Sequence, residues 1–128
     1  MRKGSSFGGD RAESILYLML VKEENNMTFS KIAFHELETA RDKVNHLFNI
    51  LISGMENNNL DKLKQCEKIE SEIDLMVKEI RISHLKRLQN GECMPLSGVV
   101  FADIILHLER TGDLLFGISR NLLNIEQY

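Results

Sequence analysis

The residues with the clearest potential for chemistry are acidic side chains followed four positions later by aspartate. The chain holds three such pairs: Glu38 with Asp42, Glu70 with Asp74, and Glu109 with Asp113. Residues at i and i+4 project from one face of a helix with Cβ atoms about 5–6 Å apart, so two carboxylates at this spacing can bind one cation. Without a cation the two carboxylates repel each other.

Two of the three pairs lie beside apolar positions. Glu70 follows Cys66 by four residues and precedes Ile73 by three, and Glu109 follows Ile105 by four. An unpaired charge next to a buried stripe is costly, which favours a compensating cation there. These two pairs supply the primary candidate metal ligands, which are Glu70, Asp74, Glu109 and Asp113.

The pair in the first long segment has different neighbours. Asp42 has the polar residues Thr39 and Asn45 at helical spacing, which predicts a solvent-exposed face. Glu38 and Asp42 are therefore secondary candidates for metal ligands.

Ordinary ion pairs are the alternative explanation for the acids. Arg110 lies between Glu109 and Asp113 in the sequence, and Lys78 and Arg81 follow the second pair. If these cations neutralise the carboxylates, the chain is a purely structural or oligomerising bundle, with Arg110 in an ion pair or an interface. The sequence leaves both explanations open.

Helices must position these residues. The 128 residues are 43% hydrophobic and include one Pro and no Trp, which disfavours an all-β domain and limits the chain to one compact domain. Apolar residues at three-and-four spacing mark three long helices, and the short connections between them predict an all-α, antiparallel up-down-up three-helix bundle. An additional short N-terminal helix precedes it. The predicted domains are a disordered stretch at 1–9, the short helix at 10–26, and the bundle at 27–128.

Several residues mark where the long helices begin and end. The first long helix is predicted to start near Thr28 or Ser30, and Asn59 is the predicted N-cap of the second. Gly54 and the pair Asn90-Gly91 are predicted stops, and Ser97 is a candidate cap for the last helix. The predicted buried faces include Ile32, Phe48 and Leu88.

Two glycines interrupt the last helical pattern. Gly112 and Gly117 each cost about 1 kcal/mol relative to alanine inside a helix. Such a cost implies a compensating close approach, and Gly112 stands next to Asp113.

Several classes of function are disfavoured. A net charge of −3 gives no basic field for nucleic acid or an anionic membrane, and the longest apolar run, Ile15–Val21, is far shorter than the roughly 20 residues of a spanning helix. The two cysteines show no CxxC spacing, which favours a reduced intracellular compartment. No Glu-x-x-His, His-Glu-x-x-His or Gly-x-Ser-x-Gly motif is present.

The last two helical segments resemble a known family. The run Leu-Glu-Arg-Thr-Gly-Asp at 108–113 is similar to the Leu-Glu-Arg-Ile-Gly-Asp signature of the PhoU domain family, and the segment 67–80 with Glu70 and Asp74 also resembles it. The histidine that usually follows the signature aspartate is Leu114 here. Residues 29–44 are similar to the opening helix of the family.

The resemblance implies a non-enzymatic regulatory or accessory domain of phosphate transport. Members of the family bind iron or zinc through paired acidic-x-x-x-Asp motifs, and by position the ligands here would be Glu70, Asp74, Glu109 and Asp113. A metal-dependent enzyme that uses the same carboxylates is an alternative, but it needs an open cavity and a neighbouring base that the sequence does not clearly supply.

The resemblance also implies partners and a location. The free PhoU regulator has two three-helix repeats, and this chain has room for one, as at the cytoplasmic C-terminus of sodium/phosphate cotransporters. The expected partners are a second copy of the chain, in a homodimer, or the membrane domain of a phosphate transporter or cotransporter. The expected location is the cytoplasm, at the cytoplasmic face of the inner membrane.

Overall fold

The computed structural model describes residues 29–126, which form three helices. In chain order these are α1 at Lys31–Glu56, α2 at Leu60–Gln89 and α3 at Pro95–Glu126, and each packs on the other two. This arrangement, with no strand between residues 29 and 126, confirms the predicted three-helix bundle. The predicted disordered stretch at 1–9 and the short helix at 10–26 lie outside the described residues.

Most of the predicted helix ends are confirmed. The Ser30 Oγ accepts a hydrogen bond from the Ala33 N–H at 3.1 Å, and the Asn59 Oδ1 accepts one from the Lys62 N–H at 3.2 Å. Each bond satisfies a backbone donor that the first turn of a helix leaves free. At the other end of α2, Asn90 is the C-cap and Gly91 has a φ of 71°, a conformation that glycine adopts at little cost.

Two predicted ends are wrong. Gly54 does not stop α1, which continues to Glu56; it is buried because α2 packs there, and a Cβ on it would lie 2.9 Å from the Leu63 Cδ2. Ser97 is not the cap of α3, because the helix already begins at Pro95, whose fixed φ suits a first helical position. Ser97 therefore lies in the first turn of α3.

The three helices run antiparallel to their neighbours in sequence. Glu36 near the start of α1 contacts Arg87 near the end of α2, and Gly112 of α3 lies beside Glu70 in the first half of α2. The core between the helices is apolar, and each fully buried aliphatic or aromatic side chain contributes about 1.5–3 kcal/mol. Its largest fully buried apolar side chains are Phe101, Leu47, Leu51, Ile73, Ile105 and Val77.

The buried stripes are narrower than the sequence pattern predicts. Ile32, Phe48 and Leu88 were expected to be buried and are 62%, 47% and 39% exposed. In α1 the buried positions follow one another at alternating steps of four and three, and Ile32 and Phe48 flank that line. A helix with two neighbours buries only one such stripe, so apolar residues beside it remain in contact with solvent.

Within residues 29–126, no helix combines the length and the apolar character needed to cross a membrane.

Candidate metal centre

Three acidic side chains from α2 and α3 come together in the structure. Glu70 and Asp74 lie one turn apart on α2, and Asp113 of α3 faces them, so that one carboxylate oxygen from each lies within 4.8 Å of the others. The i, i+4 spacing places the first two on one helix face, and the antiparallel packing supplies the third. We refer to Glu70, Asp74 and Asp113 as the acidic cluster.

Glu70 is the buried member of the acidic cluster. Its side chain is 7% exposed, and its Oε1 has no hydrogen-bond partner. The pKa of Glu70 is raised to about 9, first by burial and then by hydrogen bonding to Asp113 and by the negative charges of Asp74 and Asp113. When it holds a proton, the Glu70 carboxyl can donate to a neighbouring carboxylate; when it is ionised, nothing donates to its Oε1. The site therefore favours either a proton or another cation.

Asp74 shares this environment from a more exposed position. Its pKa is raised chiefly by desolvation and then by the negative charges of Asp113 and Glu109. Both aspartates of the cluster are exposed to solvent, whereas Glu70 lies beneath them. The cluster is thus open on its outer side, where a cation can enter and keep water among its ligands.

Gly112 makes room for the buried carboxyl group. A Cβ on Gly112 would lie 3.3 Å from the Glu70 Oε1 and 3.5 Å from the Ile73 Cδ1. This contact explains the glycine in the middle of α3 and confirms the expected close approach. A Cβ on Gly117 would meet no atom within 4 Å, so nothing around Gly117 requires a glycine.

Replacing each glycine with alanine tests this difference. We expect Gly117→Ala to raise the free energy of unfolding by about 0.5–1 kcal/mol, because alanine is the better helix former. Gly112→Ala is expected to gain less or to destabilise the protein, because the Glu70 carboxyl must move. Urea unfolding of both variants at one pH measures the two changes, and equal stabilisation by both would contradict the close approach at Gly112.

Glu109 lies next to the acidic cluster but has a partner of its own. The Arg81 Nη2 of α2 lies 2.9 Å from the Glu109 Oε1, so this acid forms an ion pair between helices. Arg110 is exposed and forms no ion pair with any residue in the range 29–126. The ion-pair explanation therefore holds for Glu109 through Arg81, whereas Arg110 does not neutralise the acids.

The secondary candidates are not brought into the acidic cluster. Glu38 and Asp42 lie on the exposed face of α1, and Asp42 pairs with Arg41 at 3.1 Å on the surface. This agrees with the polar neighbours that the sequence shows around them. An exposed pair of this kind contributes little to stability.

Sequence reasoning missed two buried polar residues at the far end of α2. His84 and Arg87 are 8% and 7% exposed, and both pack against Phe101 of α3. Burial lowers the pKa of His84, and the charge of Arg87 lowers it further, which keeps the imidazole neutral near pH 7. The sequence did contain a signal for their burial, because the three-and-four spacing of the buried stripe through Val77 and Ile80 continues to both residues.

A comparison with known protein families finds one match that covers the acidic cluster. The family model described as the PhoU domain matches residues 37–122, which is about two thirds of the chain. No match to a curated protein or to a solved structure accompanies it. The matched range includes all three members of the cluster, and the family is associated with the regulation of phosphate transport. The chain, with its three antiparallel helices and its Leu-Glu-Arg-Thr-Gly-Asp run, belongs to the PhoU domain family.

Proposed function

We propose that this chain is a non-enzymatic regulatory or accessory domain of phosphate transport in which Glu70, Asp74 and Asp113 hold a metal ion. The observation that carries the proposal is the buried Glu70 carboxyl group, whose Oε1 has no hydrogen-bond donor and which shares its surroundings with two more carboxylates. Iron or zinc is the metal that the family pattern implies.

The donor set fits a cation. Three carboxylates within 4.8 Å of one another repel when ionised, and a bound cation removes that repulsion and provides the partner that the Glu70 Oε1 lacks. A bound metal would supply charge neutralisation and a link between α2 and α3. Glu109, whose Oε1 pairs with Arg81, is not among the carboxylates that lie within 4.8 Å of one another, so it would have to move to become a fourth ligand.

Membership of the PhoU family supports the regulatory assignment, because its members are regulatory or accessory domains. Three ligands from one chain leave coordination positions free for water or for a ligand from a partner. The partners that we propose are a second copy of this chain, in a homodimer, and the membrane domain of a phosphate transporter or cotransporter. The domain then acts in the cytoplasm at the inner membrane.

Metal analysis tests the acidic cluster directly. We expect the double variant Asp74→Asn/Asp113→Asn to retain less than about a tenth of the wild-type iron or zinc content, because one carboxylate alone binds a cation weakly. The matched control is Glu38→Gln/Asp42→Asn, which removes an acid pair of the same spacing from the exposed face of α1 and should leave the content unchanged. Equal background content in all three proteins would overturn the metal site and favour a purely structural bundle.

The role in transport has a separate test. We expect deletion of the gene in its host to change the rate of phosphate uptake, and the wild-type chain to restore it. The Asp74→Asn/Asp113→Asn variant is expected to restore it poorly at equal protein level, unlike the Glu38→Gln/Asp42→Asn control. Unchanged uptake after deletion would contradict the proposed role.

A further inference from the structure

We propose that a second site, at the end of the bundle where α2 ends and α3 begins, binds a small oxyanion such as inorganic phosphate between the N-terminus of α3 and the Arg87 guanidinium. The site is a cavity of about 260 Å³ whose walls include Ser97, Arg87 and Met94. His84, also in its wall, lies fourteen residues after Glu70 on α2, which corresponds to about 21 Å along the helix. The proposal goes beyond the proposed function and does not depend on a metal.

The N-terminus of α3 has unfilled hydrogen-bonding capacity. The residue before it, Met94, has no side-chain oxygen to cap the helix, in contrast to Ser30 and Asn59 in front of α1 and α2. Pro95 has no N–H, and within the described residues nothing accepts a hydrogen bond from the Leu96 or Ser97 N–H groups. These two donors, together with the positive end of the helix dipole, are suited to an anion.

The Ser97 side chain is an independent sign of a missing partner. Ser97 is 2% exposed, forms part of the cavity wall, and its buried Oγ has no hydrogen-bond partner. A buried hydroxyl without a partner costs about 1–3 kcal/mol, so such groups are rare in native proteins. An oxyanion oxygen bound in the cavity could accept a hydrogen bond from this hydroxyl.

Arg87 supplies hydrogen-bond donors on the other side of the cavity. Its Nη1 donates to the Ser83 Oγ at 2.8 Å and its Nη2 donates to the Glu36 Oε1 at 2.7 Å, which uses two of its five N–H donors. The remaining donors are available to an oxyanion in the fork geometry that arginine offers. The negative charges nearby are that of Glu36, which Arg87 neutralises, and that of Glu92, which lies exposed on the rim.

Amide NMR spectra of the full-length protein test the site. The probes are sodium phosphate, sodium sulfate and sodium acetate, titrated at constant ionic strength in the presence of EDTA so that no metal contributes. We expect phosphate to shift the amide signals of Leu96, Ser97 and Gly98 to saturation. Parallel shifts with sulfate or acetate define which oxyanions the site accepts, whereas unchanged signals with all three would overturn the proposal.

Two substitutions make the assignment specific. Met94→Asp places a carboxylate at the N-cap, where it competes with the anion, and we expect it to weaken phosphate binding at least about tenfold while raising the melting temperature by a few degrees. Leu60→Asp, which adds the same charge in the first turn of α2 and outside the cavity wall, should bind phosphate as the wild type does. Phosphate binding by Met94→Asp at wild-type affinity would overturn the site.

A matched pair of variants tests the role of the Ser97 hydroxyl. Ser97→Ala is expected to weaken phosphate binding about tenfold, the loss of one charge-assisted hydrogen bond. Ser119→Ala removes another buried serine hydroxyl of α3, one that already donates to the Phe116 carbonyl at 2.7 Å, and should leave the affinity unchanged. Equal affinities of the two variants would contradict the role of Ser97.

Discussion

Replacing Glu70 with glutamine is expected to raise the free energy of unfolding of the metal-free protein by about 2 kcal/mol at pH 7. The glutamine amide keeps the shape of the side chain and can donate to the Asp113 carboxylate, but it adds no third charge to the acidic cluster. Urea unfolding in the presence of EDTA measures the change. Glu38→Gln, on the exposed face of α1, is the control and should alter stability by less than about 0.5 kcal/mol.

The same substitution should change how stability depends on pH. An unfolded glutamate titrates near pH 4.3, whereas burial together with the neighbouring Asp113 and Asp74 raises the pKa of Glu70 to about 9 in the folded protein. Because the folded pKa is the higher one, the contribution of Glu70 is fully present below about pH 4 and is lost as the pH rises toward 9. We expect this decline in the metal-free wild type and a weaker decline in Glu70→Gln. Parallel curves for the two proteins would show that Glu70 ionises without penalty.

Replacing Arg87 with methionine is expected to destabilise the protein by about 3 kcal/mol, because it leaves the Glu36 carboxylate without its partner at a poorly solvated position. The side chains of Arg87 and Glu36 are 9% and 15% exposed, and their nearest atoms are 2.7 Å apart. The arginine also stacks over Phe101 at 5.4 Å from the ring centre. Urea unfolding at neutral pH measures the loss.

A double variant separates the effect of the unpaired Glu36 charge from the effect of lost packing. Glu36→Leu/Arg87→Met removes both charges, and we expect it to recover more than half of the stability that Arg87→Met loses. Arg41→Met breaks the exposed pair with Asp42 and should cost less than about 0.5 kcal/mol. A double variant no more stable than Arg87→Met would show that the loss comes from packing on Phe101 rather than from the unpaired carboxylate.

The helices were predictable because their signals are local. Ser30, Asn59 and the Asn90-Gly91 pair act through hydrogen bonds or backbone angles within a few residues of their own positions. Gly54, by contrast, led to a wrong prediction of where α1 ends, because its role is not local. Its role is to let Leu63 approach, and a contact between two helices leaves no trace in the residues next to it.

The acidic cluster was predictable only in part. The i, i+4 spacing identified Glu70, Asp74 and Asp113, and the family resemblance joined the two segments. The pairing of Glu109 with Arg81 depends on the register between α2 and α3. The spacing of residues along one helix does not determine that register. The cavity beside Arg87 depends on where three helix ends meet, so the sequence pattern alone did not indicate it.

All three members of the acidic cluster belong to α2 and α3, and no residue of α1 is among them. A hairpin of two helices therefore carries the whole acidic cluster, and α1 is attached to that hairpin by buried apolar contacts and by the Glu36–Arg87 and Lys43–Glu72 ion pairs. Detaching α1 would break none of the carboxylate contacts. The residues that hold α1 in the bundle and the carboxylates of the acidic cluster are therefore separate sets of side chains.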